Sequence, residues 1–458
     1  MRLLQAKEFP AGIRSALILG LGASGEAAAR LLLDRGLRVT VLDAGSGAVL
    51  DMRAASLSNG GARVRLGPGV LPAEAFDLCI VSPGLRMDDP WVLAARAAGM
   101  TVWGELELGW RLCRSRVLAV TGSNGKSTLV KLCRDALRAA GQTAEIAGNY
   151  GPPLCAVVRA DPSDWLVVEV SSFQLETVEA FCPEVGILLN FNPNHLDRHG
   201  SLAEYGRLKA RLFARMGQEQ TAILPDDAPA WLCEAVPAAC RRRTFGIQSG
   251  AEAVYAQGAV SIRGRGLFSL TDTVFGNDVM GLTAAACMAA FDALGLDPAC
   301  VSEAARNFER LPHRMEPVAT VEGVEFVDDS KATNLAALAA ALTMVQGPVR
   351  LIAGGLLKEH DLSPIKKRLV NRVRGVYIIG KFALEMASAW QDVVPCCICG
   401  DLSEAVHRAW KEASTGEVVL LSPGCASFDQ FRSFEDRGDQ FKAIVRGLKS
   451  SRIEGGMT

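Results

Sequence analysis

The chain lacks runs of like charge and long apolar runs. No block of basic residues exceeds the three arginines at 241–243, and the formal net charge is −1 over 458 residues. We therefore expect neither nucleic acid nor an anionic membrane surface as a partner. No stretch reaches about 18 uninterrupted apolar residues, so we also expect no membrane insertion.

An export signal and a disulfide framework are lacking as well. Residues 1–8 contain no apolar core of the kind that a signal peptide needs. The 13 cysteines are scattered and odd in number, which favours reduced thiols and a cytoplasmic location. Cys396, Cys397 and Cys399 form the one cluster, and no second Cys or His pair stands at ligand spacing, so we favour a buried strand there over a zinc site.

The most informative motif lies in residues 117–128, where an apolar run ends in Thr-Gly-Ser-Asn-Gly-Lys-Ser-Thr and an apolar-periodic stretch follows. This order predicts a strand, a glycine-rich loop and a helix, the usual setting of a nucleotide triphosphate site. Backbone N–H groups would face the phosphates, Lys126 would add a cation and Ser127 would bind Mg²⁺. The residues predicted to contact the phosphates are Gly122, Ser123, Asn124, Gly125, Lys126, Ser127 and Thr128.

Residues 16–25 contain a second glycine-rich turn, G-x-G-x-x-G, directly after an apolar strand. The next strand ends in Asp43, which completes a dinucleotide-binding fingerprint with the acid on a ribose. Because the same turn can hold any diphosphate, a nicotinamide-dependent oxidoreductase is one alternative reading and not a conclusion. A later strand runs into Ser82, Pro83 and Gly84, which form either a ligand loop or a plain turn.

Two more strand ends carry candidate metal ligands. Residues 164–170 predict a buried strand whose only interior charge is Glu169, the position where an NTPase places its Mg²⁺-directed acid. The alternative is an acid exposed to solvent at the strand end. Another apolar strand leads to His195 and His199, two of only 5 histidines in the chain.

Strand, loop and helix patterns repeat along the whole chain without a Pro/Ser-rich linker, which predicts an α/β protein with parallel sheets. We predict three domains: a Rossmann-like domain in residues 1–108, a central P-loop ATPase-type domain with a parallel or mixed sheet in residues 109–310, and a second Rossmann-like domain in residues 311–458.

Together these motifs resemble the Mur ligase family, the ATP-dependent ligases that build the peptide of peptidoglycan precursors. The resemblance runs from about residue 16 to residue 441 and rests on residues 121–128, 148–149, 169–176, 195–198, 311–314, 328–334 and 422–431. The last two stretches are typical of the members that add D-glutamate. The D-N-P-R signature typical of the members that add a diamino acid is lacking.

The resemblance implies an ADP-forming ligase. In this family a substrate carboxylate attacks the γ-phosphate of ATP, and the amine of the incoming amino acid then displaces phosphate from the acyl phosphate. No enzyme nucleophile is needed, so the protein positions the reactants and neutralises charge. The implied substrates are UDP-N-acetylmuramoyl-L-alanine and D-glutamate, the implied cofactors are ATP and two Mg²⁺ ions without NAD, and a monomer is expected.

The resemblance also assigns roles to single residues. Lys126 would contact the phosphates, with Ser127 and Glu169 on the first Mg²⁺ and His195 on the second. Lys209 would carry a carbamate whose oxygens bind the metal, although the residues alone predict an exposed helix lysine. The remaining implied contacts are Arg314 and Asp329 for ATP; Ala23, Ser24, Asp43, Ser82, Gly84 and Asn149 for the UDP-sugar, which the N-terminal domain would bind; and Lys331, Thr333, Lys358, Ser427, Phe428 and Phe434 for D-glutamate, which the C-terminal domain would bind.

The chain departs from the family at Val279 and Leu282, where amide side chains on the ATP side are usual. Asn277 and Asp278 are candidate substitutes; the alternative is a weakened nucleotide affinity or a different mode of holding the adenine. A catalytically reduced homologue that binds a nucleotide-sugar is therefore a second alternative. A signalling GTPase is disfavoured, because the chain has no N-K-x-D motif to read the base.

Overall fold

The structure, a computed structural model, describes residues 9–160 and 162–450, without the side chains of residues 197, 265, 371, 449 and 450. Residues 1–8, on which the signal-peptide argument rests, lie outside the described residues. Within the described part of the chain, no helix is both long and apolar enough to cross a membrane.

The chain forms two compact units. The first comprises the residues up to Phe191 together with Gly206–Leu270 and Gly281–Arg306, and the second comprises Asn192–Tyr205, Thr271–Met280 and the residues from Asn307 onward. The first unit contains two β-sheets and the second unit contains one.

The first sheet has five strands, all paired in parallel. Its strands are β1 (Ser15–Leu19), β2 (Arg38–Asp43), β3 (Arg63–Leu66), β4 (Leu78–Val81) and β5 (Thr101–Gly104). Its helices are α1 (Ala23–Asp34), α2 (Ala48–Asn59), α3 (Pro90–Ala97) and α4 (Glu105–Leu112). All of β1 is buried, as expected for a central parallel strand covered on both faces. The order β3-β2-β1-β4-β5 is that of a Rossmann-like sheet, which confirms the predicted fold.

The second sheet has nine strands. They are β6 (Arg116–Thr121), β7 (Ala144–Gly148), β8 (Trp165–Glu169), β9 (Val185–Leu188), β10 (Thr221–Pro225), β11 (Arg241–Gly246), β12 (Ala253–Ala256), β13 (Ala259–Ile262) and β14 (Arg265–Ser269). The helices of this stretch are α5 (Lys126–Ala139), α6 (Leu154–Val157), α7 (Ser172–Leu175), α8 (Leu196–His199), α9 (Leu202–Ala210), α10 (Ala230–Glu234), α11 (Asp278–Ala293) and α12 (Ala299–Arg306). The order is β14-β13-β12-β11-β10-β9-β6-β8-β7, and only the two pairs that involve β13 are antiparallel. The predicted mixed sheet is therefore confirmed.

The third sheet, in the second unit, has six strands. They are β15 (Glu316–Val321), β16 (Val324–Asp328), β17 (Val349–Gly354), β18 (Val373–Ile379), β19 (Cys396–Ile398) and β20 (Val418–Leu421). The helices are α13 (Leu335–Met344), a short 3₁₀ helix (Ser363–Ile365), α14 (Lys366–Arg372), α15 (Ala383–Trp390), α16 (Leu402–Glu412) and α17 (Phe434–Ser450). The order is β15-β16-β20-β17-β18-β19, and only β15 runs antiparallel to its neighbour. The carboxyl ends of β16, β17 and β20 therefore lie side by side.

The cysteine cluster lies on and just after β19. The predicted strand is confirmed, but its predicted burial is wrong: Cys396 and Cys397 are only half-buried, and Ile398 is 46% exposed. The reason is that β19 is an edge strand, paired on one side only. Among the described residues, no group of three metal-ligating side chains includes these thiols.

Helix α4 carries two buried acids in the first unit. Glu107 accepts hydrogen bonds from the backbone N–H groups of residues 179–181 at 2.9–3.1 Å and from Arg111 at 2.7 Å. Oε1 of Glu105 accepts from the N–H of Cys155 at 2.5 Å, while its Oε2 has no hydrogen-bond partner among the described residues. Burial raises the pKa of Glu105 to about 7. Glu107 thus anchors the segment before β9, whereas Glu105 is held as a half-satisfied acid.

Candidate active site

The loop between β6 and α5 has the backbone of a phosphate cradle. Gly122 and Gly125 have φ values of 152° and 78°, which residues other than glycine rarely adopt. A Cβ at Gly125 would lie 2.9 Å from Cδ2 of Leu189, so that side chain would also have to shift. Helix α5 starts at Lys126, and the N–H groups of a first helical turn have no partner within the helix. The loop therefore directs the positive end of α5 toward its concave side.

Asn190 holds this loop from the segment after β9. Its Oδ1 accepts from the N–H groups of Ser123 at 2.9 Å and Asn124 at 3.0 Å, and its Nδ2 donates to the carbonyl oxygen of Asn124 at 3.0 Å. Sequence reasoning missed this residue, because its partners lie far away along the chain. Its position just beyond an apolar strand was the only signal. The phosphate contacts predicted for Ser123 and Asn124 stay predictions.

Lys126 and Ser127 lie at the start of α5 and act on different sides of the loop. The Nζ of Lys126 donates to the carbonyl oxygens of Gly122 at 3.0 Å and Ser123 at 3.1 Å. The Oγ of Ser127 donates to Oε2 of Glu169 at 2.7 Å. Parallel pairing of β6 with β8 places the two strand ends together, so the predicted meeting of the loop and the acid is present.

Glu169 ends β8 and is only 3% exposed, so the alternative of a solvent-exposed acid is wrong. Its Oε1 accepts from Nδ2 of Asn149 at 2.6 Å, and its carbonyl oxygen accepts from the N–H of Asn149 at 2.9 Å. Gly148, with φ of 100°, allows this approach, because a Cβ there would lie 2.3 Å from the carbonyl oxygen of Glu169. The serine hydroxyl and the asparagine amide thus bond to the two different oxygens of one buried carboxylate.

Lys209 is buried next to the same loop. Lys209 is 1% exposed, and its Nζ donates to the carbonyl oxygen of Gly122 at 2.8 Å. The expectation of an exposed helix lysine is therefore wrong, because the chain around the end of α9 packs inside the protein: Leu208, in the helix, and Leu212, just after it, are also buried. Burial lowers the pKa of Lys209 well below its usual value, and the charge of Lys126 acts in the same direction. The environment favours a neutral amine.

His195 belongs to the second unit, where it precedes α8 in the left-handed conformation with φ of 54° and ψ of 32°. Its carbonyl oxygen accepts from the N–H groups of Arg198 and His199 at 3.1 and 3.0 Å. The backbone of the Asn-His-Leu-Asp motif is thus a tight turn into a short helix. The role of His195 on a second Mg²⁺ stays a prediction.

The glycine-rich turn of the first sheet lies at the carboxyl ends of β1, β2 and β4. The Oγ of Ser82 donates to the carbonyl oxygen of Gly20 at 2.9 Å. Gly25 approaches the same carbonyl so closely that a Cβ would lie 1.9 Å from its oxygen. Ala23 and Ser24 form the first turn of α1 beside them. This edge is the topological switch point, where open α/β sheets bind their ligands.

Asp43 stabilises this turn through both carboxylate oxygens. Oδ2 accepts from the N–H of Leu21 at 2.6 Å, and Oδ1 accepts from the N–H of Gly45 at 2.7 Å. Gly84 lies in an exposed turn in which the N–H of Leu85 donates to the carbonyl oxygen of Ser82 at 3.0 Å. The backbone of Ser82 to Gly84 is thus a turn, and both the ligand-loop alternative and the nucleotide contacts of all these residues stay predictions.

In the second unit, Asp329 follows β16 and is held from two sides. Its Oδ2 accepts from Oγ of Ser422 at 2.9 Å, and its Oδ1 accepts from the N–H of Met315 at 3.2 Å. Burial raises the pKa of Asp329 to about 7, while Arg314 acts in the opposite direction. The structure therefore brings together Arg314 and Asp329, the two residues predicted to contact ATP in this unit.

Two of the predicted D-glutamate contacts meet directly. The Nζ of Lys331 lies 3.5 Å from the ring centroid of Phe434, a cation–π contact. Thr333 is half-buried and stands just before α13, whose first turn is capped by the side chain of Asn334 at 2.9 Å from the N–H of Ala337. Lys331 and Thr333 therefore lie on one short connection between β16 and α13.

The remaining predicted contacts come from two paired loops. The N–H of Leu356 donates to the carbonyl oxygen of Ala426 at 2.8 Å, and the reverse bond is 2.9 Å long. This bridge joins the loop of Lys358 to that of Ser427, which is 2% exposed. Phe428, in contrast, is 71% exposed. The structure supplies no enclosing contact for the Phe428 ring from the described residues, and its role stays a prediction.

The chain is similar in sequence to three known domain families and to named relatives. Sequence profiles match at residues 14–104 (Mur ligase MurD-like, N-terminal domain), 120–278 (Mur ligase middle domain) and 313–425 (Mur ligase, glutamate ligase domain). A relative from Acidobacterium capsulatum, named UDP-N-acetylmuramoylalanine–D-glutamate ligase, is 38% identical over 448 residues, which cover 94% of this chain and 96% of the relative. One of the same name from Pelotomaculum thermopropionicum is 38% identical, covering 95% of this chain and 98% of its own.

The chain belongs to the Mur ligase family.

Solved structures of Mur ligases share the fold. MurF ligase from Thermotoga maritima in complex with ADP matches with a TM-score of 0.62 at 16% identity, covering 95% of this chain and 98% of that chain. A pseudomurein peptide ligase type C from Methanothermus fervidus matches with a TM-score of 0.60 at 19% identity, covering 95% and 100%. At these identities the likeness supports the three-domain α/β fold alone. The domain boundaries at 108/109 and 310/311 stay predictions.

Val279 and Leu282, where Mur ligases usually carry amides, lie in the first turns of α11. Asn277 does not simply replace them. Its Oδ1 accepts from the N–H groups of Val279 at 3.2 Å and Met280 at 3.1 Å, and its Nδ2 donates to the carbonyl oxygen of Val274 at 3.0 Å. Oδ1 of Asn277 therefore caps α11, and its Nδ2 is bonded to the segment before the helix.

Proposed function

We propose that this chain is the ligase that joins D-glutamate to the carboxylate of UDP-N-acetylmuramoyl-L-alanine, with conversion of ATP to ADP and phosphate, in peptidoglycan precursor synthesis. As a member of the Mur ligase family it is an ATP-dependent ligase that forms an amide bond. The relatives that carry the D-glutamate ligase name match over nearly their whole length, which supports the choice of amino acid.

One observation from the structure carries the ATP-dependent half of the proposal. The hydroxyl of Ser127 and the amide of Asn149 meet the buried carboxylate of Glu169 at 2.7 and 2.6 Å, directly after the phosphate loop. Magnesium prefers oxygen ligands, one or two of them from carboxylates, with the rest from water and phosphate. Ser127 and Glu169 therefore fit Mg²⁺ and would hold it. When bound, MgATP supplies the phosphoryl group that activates the substrate carboxylate.

The chain's own residues would act by position and charge. Lys126 and the first turn of α5 would neutralise the transferring phosphoryl group, which carries charge on several oxygens. Lys331 and Lys358 would offer cations to a substrate with two carboxylates. The neutral amine favoured at Lys209 is the form that reacts with CO₂, so the environment supports the predicted carbamate.

Several finer points stay part of the proposal. The second Mg²⁺ with His195 as a ligand, the absence of an NAD requirement, the monomeric state and the cytoplasmic location are all predictions. No described helix can span a membrane. The small-molecule substrates are expected to be the only partners.

The decisive experiment measures phosphate release from ATP with Mg²⁺ and UDP-N-acetylmuramoyl-L-alanine, with D-glutamate, L-glutamate, L-lysine or no amino acid. We expect release that depends on D-glutamate. Release with a different amino acid would keep the family and overturn the substrate. Binding of the nucleotide-sugar without release under any condition would favour the catalytically reduced homologue, with Val279 and Leu282 as the first suspects.

A further inference from the structure

Arg437, in the first turn of α17, is fully buried yet has no carboxylate directly bonded to it among the described residues. Its Nε donates to Oγ of Ser330 at 2.9 Å, and its Nη2 donates to the carbonyl oxygen of Ser330 at 2.8 Å. Nη1 and Nη2 each donate to the carbonyl oxygen of Cys425 at 3.2 Å. Burial lowers the pKa of Arg437 to about 10, so the guanidinium keeps its charge at neutral pH.

The two acceptor residues belong to the two loops that carry the predicted amino-acid contacts. Ser330 stands between Asp329 and Lys331, and Cys425 lies two residues before Ser427. The loops also meet through the N–H of Gly424, which donates to the carbonyl oxygen of Ala332 at 2.9 Å. The planar fork of one guanidinium spans both loops, a geometry that a lysine cannot reproduce.

The same turn of α17 fixes two more parts of the site. Oγ of Ser330 donates to the carbonyl oxygen of Phe434 at 2.8 Å, which positions the residue whose ring contacts Lys331. Gly438, next to Arg437, packs on the pair formed by His313 and Asp328, whose Nδ1 and Oδ2 lie 2.7 Å apart. A Cβ at Gly438 would lie 2.1 Å from that Nδ1. The contact requires glycine.

We propose that Arg437 is a positioning residue for the amino-acid substrate: it holds the Ser330 and Cys425 loops at the separation that D-glutamate requires. The inference rests on the proposed function, since it assumes that these loops bind D-glutamate. Arg437 itself is enclosed and acts through the loops. Its loss would therefore weaken capture of the amino acid more than capture of the nucleotide-sugar, whose predicted contacts lie in the first unit.

The test compares Arg437→Met and Arg437→Lys with wild type by steady-state phosphate release, titrating each substrate in turn. For Arg437→Met we expect KM for D-glutamate to rise by about tenfold or more, and KM for UDP-N-acetylmuramoyl-L-alanine to change by less than about twofold. Arg437→Lys keeps the charge and should recover only part of the loss. Arg446→Met, at an exposed position on the same helix, is the matched control and should behave as wild type.

An unchanged KM for D-glutamate in a folded Arg437→Met enzyme would overturn the inference, and so would an equal rise in KM for all substrates, which a general structural role predicts. Should that variant not fold, Ser330→Ala decides the matter. It removes the Oγ bonds and leaves the guanidinium its two carbonyl acceptors, so it should raise KM for D-glutamate by about threefold, and no change would overturn the inference. Lack of D-glutamate-dependent release by wild type would instead overturn the proposed function, and this inference with it.

Discussion

The side-chain nitrogen of Lys209 lies 2.8 Å from the carbonyl oxygen of Gly122, the same oxygen that accepts from Lys126 at 3.0 Å. Two lysines thus share one acceptor at the start of the phosphate loop. Because Lys209 is fully buried, its charged form loses its hydration, and its pKa is lowered well below its usual value of 10.5. Lys126 can therefore serve as the cation at this loop, while the burial of Lys209 favours its neutral form.

We expect Lys209→Arg to abolish turnover. A guanidinium stays protonated and cannot form a carbamate, and it is too large for the buried position. Wild-type activity should fall when CO₂ and bicarbonate are removed by degassing and should recover when bicarbonate is added. Phosphate release measured in both conditions checks this. A wild-type rate that is indifferent to bicarbonate would count against the carbamate.

Lys126→Ala should lower turnover by at least about 100-fold, the usual cost of removing a group that stabilises transition-state charge. The fold should be unaffected, because the bonds from Lys126 to the carbonyl oxygens of Gly122 and Ser123 stay within its own loop. Lys131→Ala, on the same helix and paired with Asp135, is the matched control. Near-normal activity of Lys126→Ala with an intact thermal transition would contradict the phosphate-loop assignment.

The strands and the phosphate loop could be predicted from sequence because their signals are local. Apolar runs that end in glycine mark strand ends, and β2 ends at Asp43, as the sequence predicts. Glu169 could also be predicted, since a lone charge at the end of an apolar strand is conspicuous. The carboxyl ends of parallel strands lie at the same edge of a sheet, so the closeness of Glu169 to the phosphate loop followed from the topology.

Side chains that act on distant backbone could not be predicted. Asn190, Glu107 and Arg437 all bond to backbone groups far away in sequence, and such partners leave no periodic pattern. The exposure expected for Lys209 is wrong for a related reason. A single lysine on a short helix looks exposed until the packing of both its neighbours is known.

Glu169→Gln and Ser127→Ala should both impair the use of Mg²⁺, but to different extents. Gln keeps an oxygen for Ser127 or Asn149 but removes the charge that binds the metal, so turnover should fall by about 100-fold or more. Ser127→Ala removes one neutral ligand and should mainly raise the Mg²⁺ concentration needed for half-maximal rate, by about tenfold. Mg²⁺ titrations of phosphate release at saturating ATP compare the two. Identical titration curves for wild type and both variants would refute the proposed site.

Glu105→Gln should remove a pH-dependent loss of stability. The pKa of Glu105 is raised from 4.5 to about 7, so between these values the folded chain keeps a proton that the unfolded chain has released. The free energy of unfolding therefore falls as pH rises through this window, and Gln, neutral throughout, does not suffer the loss. Near pH 4 the two proteins should be about equally stable, and near pH 8 the variant should be more stable by up to about 3 kcal/mol.

Urea unfolding followed from about pH 4 to about pH 8 measures this difference. Glu107→Gln is the matched control two residues along the same helix. It loses charge-assisted bonds to three backbone N–H groups and to Arg111, so it should be destabilised by about 1–3 kcal/mol. A parallel pH dependence of wild type and Glu105→Gln would show that the pKa of Glu105 is the same in the folded and unfolded chains, which would contradict the raised pKa.

Gly355→Ala tests whether the pairing of two loops shapes the amino-acid site. Gly355 has φ of 131°, and a Cβ there would lie 2.3 Å from the carbonyl oxygen of Ala426, the oxygen that accepts from the N–H of Leu356. The substitution must therefore push apart the loops of Lys358 and Ser427. We expect a loss of about 1–3 kcal/mol in stability and a rise of about tenfold in KM for D-glutamate.

Gly447→Ala, at an exposed position of α17 with open space around its Cβ, should leave both quantities near wild type. A loss of stability in Gly355→Ala without any change in KM for D-glutamate would show that the loop pairing does not affect substrate binding. It would contradict the placement of Lys358 and Ser427 together in the amino-acid site.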